Sequence, residues 1–345
     1  MQISLTKYRA DFTDALLDFV VDQWRHLGDA VTPSERPLLV VDPEVLVALT
    51  TRVGRHDSRV FDGMIDWLAR NGQWINVQRL ARIAAEDGIA DRPALGAVTA
   101  WLAARDRSMK WKKLAASLKP PAHAPSVPLF FRAAKTVRTR RQQDGVFAAY
   151  GLARAPVVIR GQAQPIHFRS PAAILCTSRA LFGVAIRADV MAYLAVNERG
   201  HARGLAATLG YNHMQVRAVL LSLEQAGIAT AVSYGRTHHY SIDMEAWRAL
   251  LMEPGMTAQW INWRCLGRGF NSMFAGLWAI DASRADATVA ESLVRDVMEA
   301  AREDILGTHA EMAHQRGLSR ILGTSLADKI GTGANRRLHS PGRTL

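Results

Sequence analysis

Cysteine is scarce in this sequence, because its 345 residues include only Cys176 and Cys265, which form no C-x-x-C pair. This scarcity excludes a disulfide scaffold, a cysteine-based zinc finger and a thioredoxin-type redox site, and it favours a reducing cytoplasm. Apolar runs of about 18 residues, which a membrane span needs, are missing as well. Residues 1–10 also lack the apolar core of a secretion signal. We therefore expect a cytoplasmic protein that does not enter the membrane.

Motifs of catalysis and of cofactor binding are missing too. The sequence contains no P-loop, no complete dinucleotide-binding fingerprint and no G-x-S-x-G nucleophile elbow. His309, Glu311 and His314 miss the H-E-x-x-H spacing that places two zinc ligands on one face of a helix. We therefore expect no metal, no cofactor and no enzymatic activity. An active site assembled from scattered residues would leave no such motif, and it stays open as an alternative.

Charge is present in excess, and it is unevenly distributed. The chain has 43 Lys and Arg against 31 Asp and Glu, which gives a formal net charge of +12. Residues 121–185 contain nine basic residues and one acidic residue, so this stretch contributes two thirds of the excess. A chain this basic is expected to attract polyanions, nucleic acid foremost.

The hydrophobic pattern predicts a mainly α fold. Apolar residues recur at steps of three and four through residues 1–119, which indicates a helical domain, and Asp42-Pro43 is a typical helix start. Four prolines between positions 120 and 128 then interrupt the helices, so residues 120–169 are expected to form a proline-rich, basic linker. Residues 170–252 form the next predicted domain, 253–328 a set of C-terminal helices, and 329–345 a flexible basic tail.

The domain at 170–252 has the pattern helix, helix, turn, helix, hairpin. A helix-turn-helix needs a small residue where its helices cross, a residue that tolerates the sharp turn and apolar packing residues. These requirements are met in register by Leu205, Ala206, Leu209, Gly210, Val216 and Val219. Residues 228–233 and 239–242 then alternate on either side of Tyr234-Gly235-Arg236-Thr237, which predicts a hairpin. Residues 187–242 therefore resemble the winged helix-turn-helix transcription regulators of bacteria, of the ArsR and MarR type.

The resemblance implies that the second helix of the motif enters the major groove of double-stranded DNA and that the hairpin, or wing, contacts the backbone or the minor groove. The residues that it assigns to the start of the recognition helix are Asn212, His213, Met214, Gln215 and Arg217. Asn and Gln can pair with adenine, Arg can pair with guanine, and Met can contact a thymine methyl group. Arg236 and His238 take the positions of wing residues.

Other roles remain open for these segments. Arg138, Arg140 and Arg141 are candidates for phosphate contacts, or they form an ordinary solvated helix face. The winged helix is expected to bind DNA and regulate transcription, but such domains also dock proteins, as in an antitoxin-like partner. The C-terminal helices are a possible homodimer interface, and the N-terminal helices are a possible surface for a protein partner or an effector.

Overall fold

Helices dominate the part of the chain that the structure describes, as the sequence predicts. The computed structural model describes residues 5–28, 38–106, 109–121, 125–131, 143–280 and 287–306. These residues divide into two compact units. The large unit is Asp22–Arg264, and the small unit combines Met1–Val21 with Cys265–Leu345.

The described residues form fourteen α-helices and six short strands. The helices are α1 (Leu5–Gly28), α2 (Pro43–Val53), α3 (Ser58–Asn71), α4 (Val77–Glu86), α5 (Arg92–Ala103), α6 (Lys112–Ser117), α7 (Gly145–Ala148), α8 (Ile174–Phe182), α9 (Ile186–Val196), α10 (Ala202–Leu209), α11 (His213–Gln225), α12 (Met244–Leu251), α13 (Trp263–Ala279) and α14 (Ala287–Leu306). The strands are β1 (Leu38–Leu39), β2 (Val127–Pro128), β3 (Leu152–Ala153), β4 (Ala229–Tyr234), β5 (Thr237–Ile242) and β6 (Ala258–Gln259).

Several helices begin where the sequence supplies a capping side chain. Asp42 accepts hydrogen bonds from the backbone N–H groups of Glu44 and Val45, and Pro43 is the first residue of α2, so the predicted helix start is confirmed. Asn212 caps α11 in the same way, through the N–H of Met214. These caps satisfy amide groups that have no partner inside the helix.

The N-terminal region, which the sequence predicts to be purely helical, also contributes a strand. β1 pairs in parallel with β6, and Leu38 lies opposite Ala258. This pair joins the N-terminal region to residues beyond 252 within the large unit. A two-residue strand is too short to leave an alternating pattern, so β1 could not be predicted from the sequence.

Part of the segment predicted as a linker packs against α3. Arg154 is buried, forms an ion pair of 2.7 Å with Asp62, and lies against the rings of Phe130 and Phe147. The carboxylate of Asp66 accepts hydrogen bonds from the backbone N–H groups of residues 161–163. These contacts fix residues 143–169 within the large unit by long-range interactions that sequence periodicity does not reveal.

The small unit is built from the first part of α1 together with α13 and α14. The rings of Phe19 and Phe270 pack edge to face with their centroids 5.7 Å apart. The Arg9 side chain donates to the backbone carbonyl of Leu277, across 2.7 Å.

In the described part of the chain, no helix combines the length and hydropathy of a membrane span.

Candidate nucleic-acid interface

Helices α9, α10 and α11 pack around one apolar cluster in the large unit. The packing residues that the sequence identified are all buried, and they are Leu205, Ala206, Leu209, Val216 and Val219. Tyr240 and Ile242 of β5 join the same cluster, so the hairpin is anchored to the helices by its second strand. The burial expected of these α10 and α11 residues is therefore observed.

The turn between α10 and α11 depends on Gly210. Its φ is +72°, in the left-handed region that side chains disfavour, and its N–H donates to the carbonyl of Ala206. A Cβ atom at this position would lie 3.2 Å from the Arg264 side chain. Both the backbone conformation and the close neighbour therefore favour glycine.

The predicted contact residues at the start of α11 all face solvent. The exposed residues are Asn212, His213, Met214, Gln215 and Arg217. The side-chain oxygen of Asn212 already accepts the 2.8 Å capping bond from Met214 N–H. An amide oxygen has two lone pairs, so this cap leaves acceptor capacity for a further contact.

The exposed face of α11 is centred on an apolar residue. Val216 and Leu220 point into the core, and Met214 lies on the opposite face with 55% of its surface exposed. Successive residues of a helix are about 100° apart, so Arg217 lies about 60° to one side of Met214 and Gln215 about 100° to the other. The two polar side chains therefore flank Met214.

The hairpin has a tight turn with exposed polar residues at its tip. Ala229 pairs with Ile242 at one end, and Tyr234 pairs with Thr237 at the other, which leaves Gly235 and Arg236 as the two-residue turn. The positive φ of Gly235 (+59°), with none at Arg236, matches a type II′ turn. Arg236 and His238, which the resemblance places on the wing, are exposed.

Arg199 is an additional exposed cation beside the hairpin, and the sequence analysis did not select it. Its guanidinium donates to the Tyr234 hydroxyl across 3.1 Å. The next residue, Gly200, pairs with Tyr240 of β5, and this pairing fixes the segment against the hairpin. The sequence shows an arginine just before α10. It does not indicate that this segment pairs with the hairpin, so Arg199 could not be identified as part of the surface.

The electrostatics of Tyr240 connect α11 to the hairpin. Burial and the Glu224 carboxylate raise the pKa of Tyr240 above 10.0, and the Arg217 guanidinium opposes that increase. The charge of Arg217 on α11 therefore influences Tyr240 on β5.

The remaining predicted contact residues, Arg138, Arg140 and Arg141, lie outside the described residues.

Behind this surface lies a buried ionic network that the sequence analysis missed. Arg79 pairs with Asp42 and Glu44, and Arg179 pairs with Glu44 and Asp189. The side chains of both arginines, Glu44 and Asp189 are completely buried, and that of Asp42 is nearly so. The network connects α2, α4, α8 and α9. Buried charges of this kind persist only when they are paired, because removing an ion from water is costly.

The pairing shifts the pKa values of the network. Burial alone raises the pKa of Asp42, but the charge and hydrogen bonds of Arg79 outweigh this effect and hold that pKa below 3.8. Burial likewise opposes the charged forms of Arg79 and Arg179, yet their carboxylate partners raise the pKa of both guanidinium groups beyond its ordinary value. The pKa of Tyr211 is raised by burial and by the Asp189 carboxylate. The lowered pKa keeps Asp42 ionised at neutral pH, and the raised pKa keeps the Tyr211 phenol neutral.

Arginines that lie outside α10 and α11 cap the C-terminal end of α10. Three carbonyl oxygens in the last turn of α10 and at Gly210 accept hydrogen bonds from three different arginines. The pairs are Arg79 with Leu209 (2.5 Å), Arg82 with Gly210 (2.9 Å) and Arg264 with Ala207 (2.8 Å). Carbonyls at a helix C-terminus lack intrahelical partners and form the negative end of the helix dipole, so cations are favourable there.

One feature of the sequence points to the ionic network: a basic residue, Arg79, lies on the apolar face of the predicted helix α4. Arg79 occupies the buried face of α4 together with Leu80 and Ile83. A buried arginine implies buried partners, but the sequence does not indicate that those partners are Asp42 and Glu44, which lie more than 30 residues earlier.

Comparison with known proteins adds no relative to this description, because no family model, curated protein or solved structure matches the chain. Among the residues that the structure describes, no cluster of three or more His, Cys, Asp or Glu side chains is arranged to hold a metal ion. His309, Glu311 and His314 lie outside those residues.

Proposed function

We propose that the protein binds duplex DNA through a winged helix and regulates transcription. The recognition helix is α11, and the wing is the β4–β5 hairpin. The observation that carries the proposal is the division of α11 into two faces: the residues expected to pack are buried, and all the residues expected to read DNA are exposed. A helix with such an exposed start, beside an exposed hairpin, suits insertion into the major groove.

Each exposed residue has a role that its chemistry supports. Gln215 and Arg217 flank Met214, so in the groove they reach bases on either side of the contact that Met214 makes with a thymine methyl group. Asn212 adds an amide at the N-terminal end of the helix, the end whose residues contact base edges in this motif. Arg236, at the tip of the hairpin, provides the cation that a wing uses against phosphate or in the minor groove.

The charge around this surface is favourable but modest. The exposed arginines on α10, α11 and the hairpin and its flank are Arg199, Arg203, Arg217 and Arg236. A few phosphate contacts give weak binding at physiological salt, because affinity falls steeply as salt rises. The basic segment with Arg138, Arg140 and Arg141 supplies further phosphate contacts in this proposal.

Measuring the affinity of single-residue variants for duplexes of different sequence tests these roles. Gln215→Ala and Arg217→Ala are expected to relax the base preference at different positions of the site, because the two side chains lie on opposite sides of Met214. Arg236→Ala is expected to weaken binding to all sequences about equally and to reduce the salt dependence. A base preference that neither α11 variant changes would remove α11 from the role of reader.

A second function, protein docking, is favoured by one specific observation. The centre of the exposed face of α11 is apolar, with Met214 and Ala218 both exposed. Methionine is enriched at the core of protein interfaces. Purification of the full chain with a stoichiometric protein partner, released by Met214→Glu or Ala218→Glu, would establish docking. Retention of that partner by both variants would argue against docking through α11.

A further inference from the structure

The turn before α11 is held by residues of α4, which is distant from it in sequence. The contacts come from Asn76, the N-cap of α4, and from Arg79 and Arg82. The amide of Asn76 donates to the Tyr211 hydroxyl across 2.9 Å, and the two arginines donate to the carbonyls at the end of α10 and in the turn. These three residues are spaced three apart, so they lie along one side of α4. That side of α4 faces the turn.

Tyr211 is bound from a second direction as well. Its hydroxyl donates to Oδ2 of Asp189 on α9 across 2.6 Å, and it accepts the hydrogen bond from Asn76. Asp189 in turn forms an ion pair with Arg179, so the phenol is an outer member of the buried ionic network. The residue just before the cap of α11 is thereby fixed to α4 and α9 together.

We propose that α4 positions the DNA-reading helix, and that Asn76, Arg82 and Tyr211 are positioning residues for DNA binding although none of them contacts DNA. This inference rests on the proposed function. The reason is geometric. α11 begins two residues after Tyr211, so the direction of its first turn follows from how the turn is held. A change in α4 therefore reaches α11 through these contacts.

The N-terminal helices are then part of the structure that reads DNA. An isolated fragment of residues 170–252 would lack α4 and Arg264. The carbonyls at the end of α10 would then lose all three of their arginine partners. Exposed carbonyls can bind water instead, but water does not fix the direction of the helix that follows.

Full-chain variants test the proposal with two independent measurements. Tyr211→Phe keeps the ring and removes the two hydrogen bonds of the hydroxyl, and Arg82→Met keeps the aliphatic stem and removes the bond to Gly210. Arg52→Met is the matched control, because Arg52 also donates to backbone carbonyls, those of residues 88–90, but not to the turn. Amide hydrogen exchange and binding to a selected duplex are measured for each protein.

We expect both test variants to increase exchange at residues 207–214 by more than they increase it in the hairpin, where any increase reports the loss of global stability. We also expect each to raise the Kd for the duplex about fivefold, the equivalent of one ordinary hydrogen bond. The slope of affinity against salt stays unchanged, because no phosphate contact is lost. Arg52→Met is expected to show neither the local change in exchange nor the change in Kd.

Two results would overturn the proposal, and they differ from failure of the proposed function. Unchanged exchange at residues 207–214 would mean that α4 does not hold the turn. A smaller salt slope for Arg82→Met would mean that Arg82 contacts phosphate itself. If the unmodified protein bound no duplex DNA at all, the proposed function would fail, and the role of α4 in DNA binding would fail with it. The exchange data would still report whether α4 anchors the turn.

Discussion

The hydroxyl of Tyr211 lies 2.6 Å from Oδ2 of Asp189, a carboxylate that is completely buried on α9. The bond connects the start of the proposed recognition helix to the ionic network in the core. Since Asp189 also pairs with Arg179, and Arg179 with Glu44, the connection continues to α2. The surface that reads DNA in our proposal is therefore fixed to the N-terminal helices.

Loss of the Tyr211 hydroxyl is expected to lower the stability of the fold. Tyr211→Phe leaves one oxygen of a buried carboxylate with only Arg179 as its partner, and such a loss costs about 1 to 3 kcal/mol of unfolding free energy. Urea unfolding followed by circular dichroism measures the change. An unfolding free energy equal to that of the unmodified protein would show that the bond contributes nothing to the core.

Gly210→Ala is expected to destabilise the protein more than Gly227→Ala does. Both glycines have a φ near +70°, so alanine at either position adds strain of about 1 to 2 kcal/mol. At Gly210 the new Cβ also meets the Arg264 side chain, whereas nothing lies within 4 Å at Gly227. Equal losses in thermal or urea unfolding would contradict the close contact with Arg264.

The ionic network predicts a dependence of stability on acid pH. The folded-state pKa of Asp42 lies below 3.8, so its contribution is fully present above pH 3.8 and is lost as the pH falls through the folded-state value. Asp42→Asn removes one partner of a buried ion pair and is expected to cost about 3 kcal/mol near neutral pH. The difference between the two proteins should shrink below pH 3.8. A difference that stays constant down to the acid transition would contradict the shift.

His201 caps α10 through its ring, because Nδ1 accepts a hydrogen bond from the N–H of Gly204 across 3.2 Å. His201→Ala is expected to cost about 1 kcal/mol, the usual value for an N-cap. His201→Asn restores a side-chain acceptor and serves as the control. If alanine and asparagine gave the same unfolding free energy, the capping role of the ring would be wrong.

Arg217→Ala is expected to cost about 1 to 3 kcal/mol of DNA-binding free energy and to relax the preference at one base pair. Arg70→Ala is the control, because Arg70 is an exposed arginine on α3 outside the proposed surface. It removes the same charge without a base contact. Competition between duplexes that differ at single positions measures both effects. Equal effects of the two variants would assign Arg217 to general electrostatics.

The sequence predicted the elements that local patterns control. The helix start at Asp42-Pro43, the burial of Leu205 and Val216 and the turn at Gly210 all depend on residues close to each other in the chain. Capping, helical periodicity and a positive φ are readable at that range. The exposure of the predicted contact residues on α11 follows from the same periodicity.

Long-range pairing was beyond the reach of these patterns. The β1–β6 pair joins residues about 220 positions apart, and Arg179 finds Glu44 135 positions away. Neither leaves a periodic signal, because only the folded chain brings the partners together. The packing of residues 143–169 on α3 was missed for the same reason, since the density of prolines describes local chain stiffness and not where the segment packs.

Selection of bound fragments from random duplex DNA, at about 50 mM and again at about 200 mM salt, tests the central claim most directly. We predict a recurring sequence motif that is retained at the higher salt, because base contacts from α11 add to the attraction between the protein and the DNA backbone. Retention of DNA only at low salt and without a motif would contradict the account. The net charge of +12 would then bind the backbone without reading the sequence.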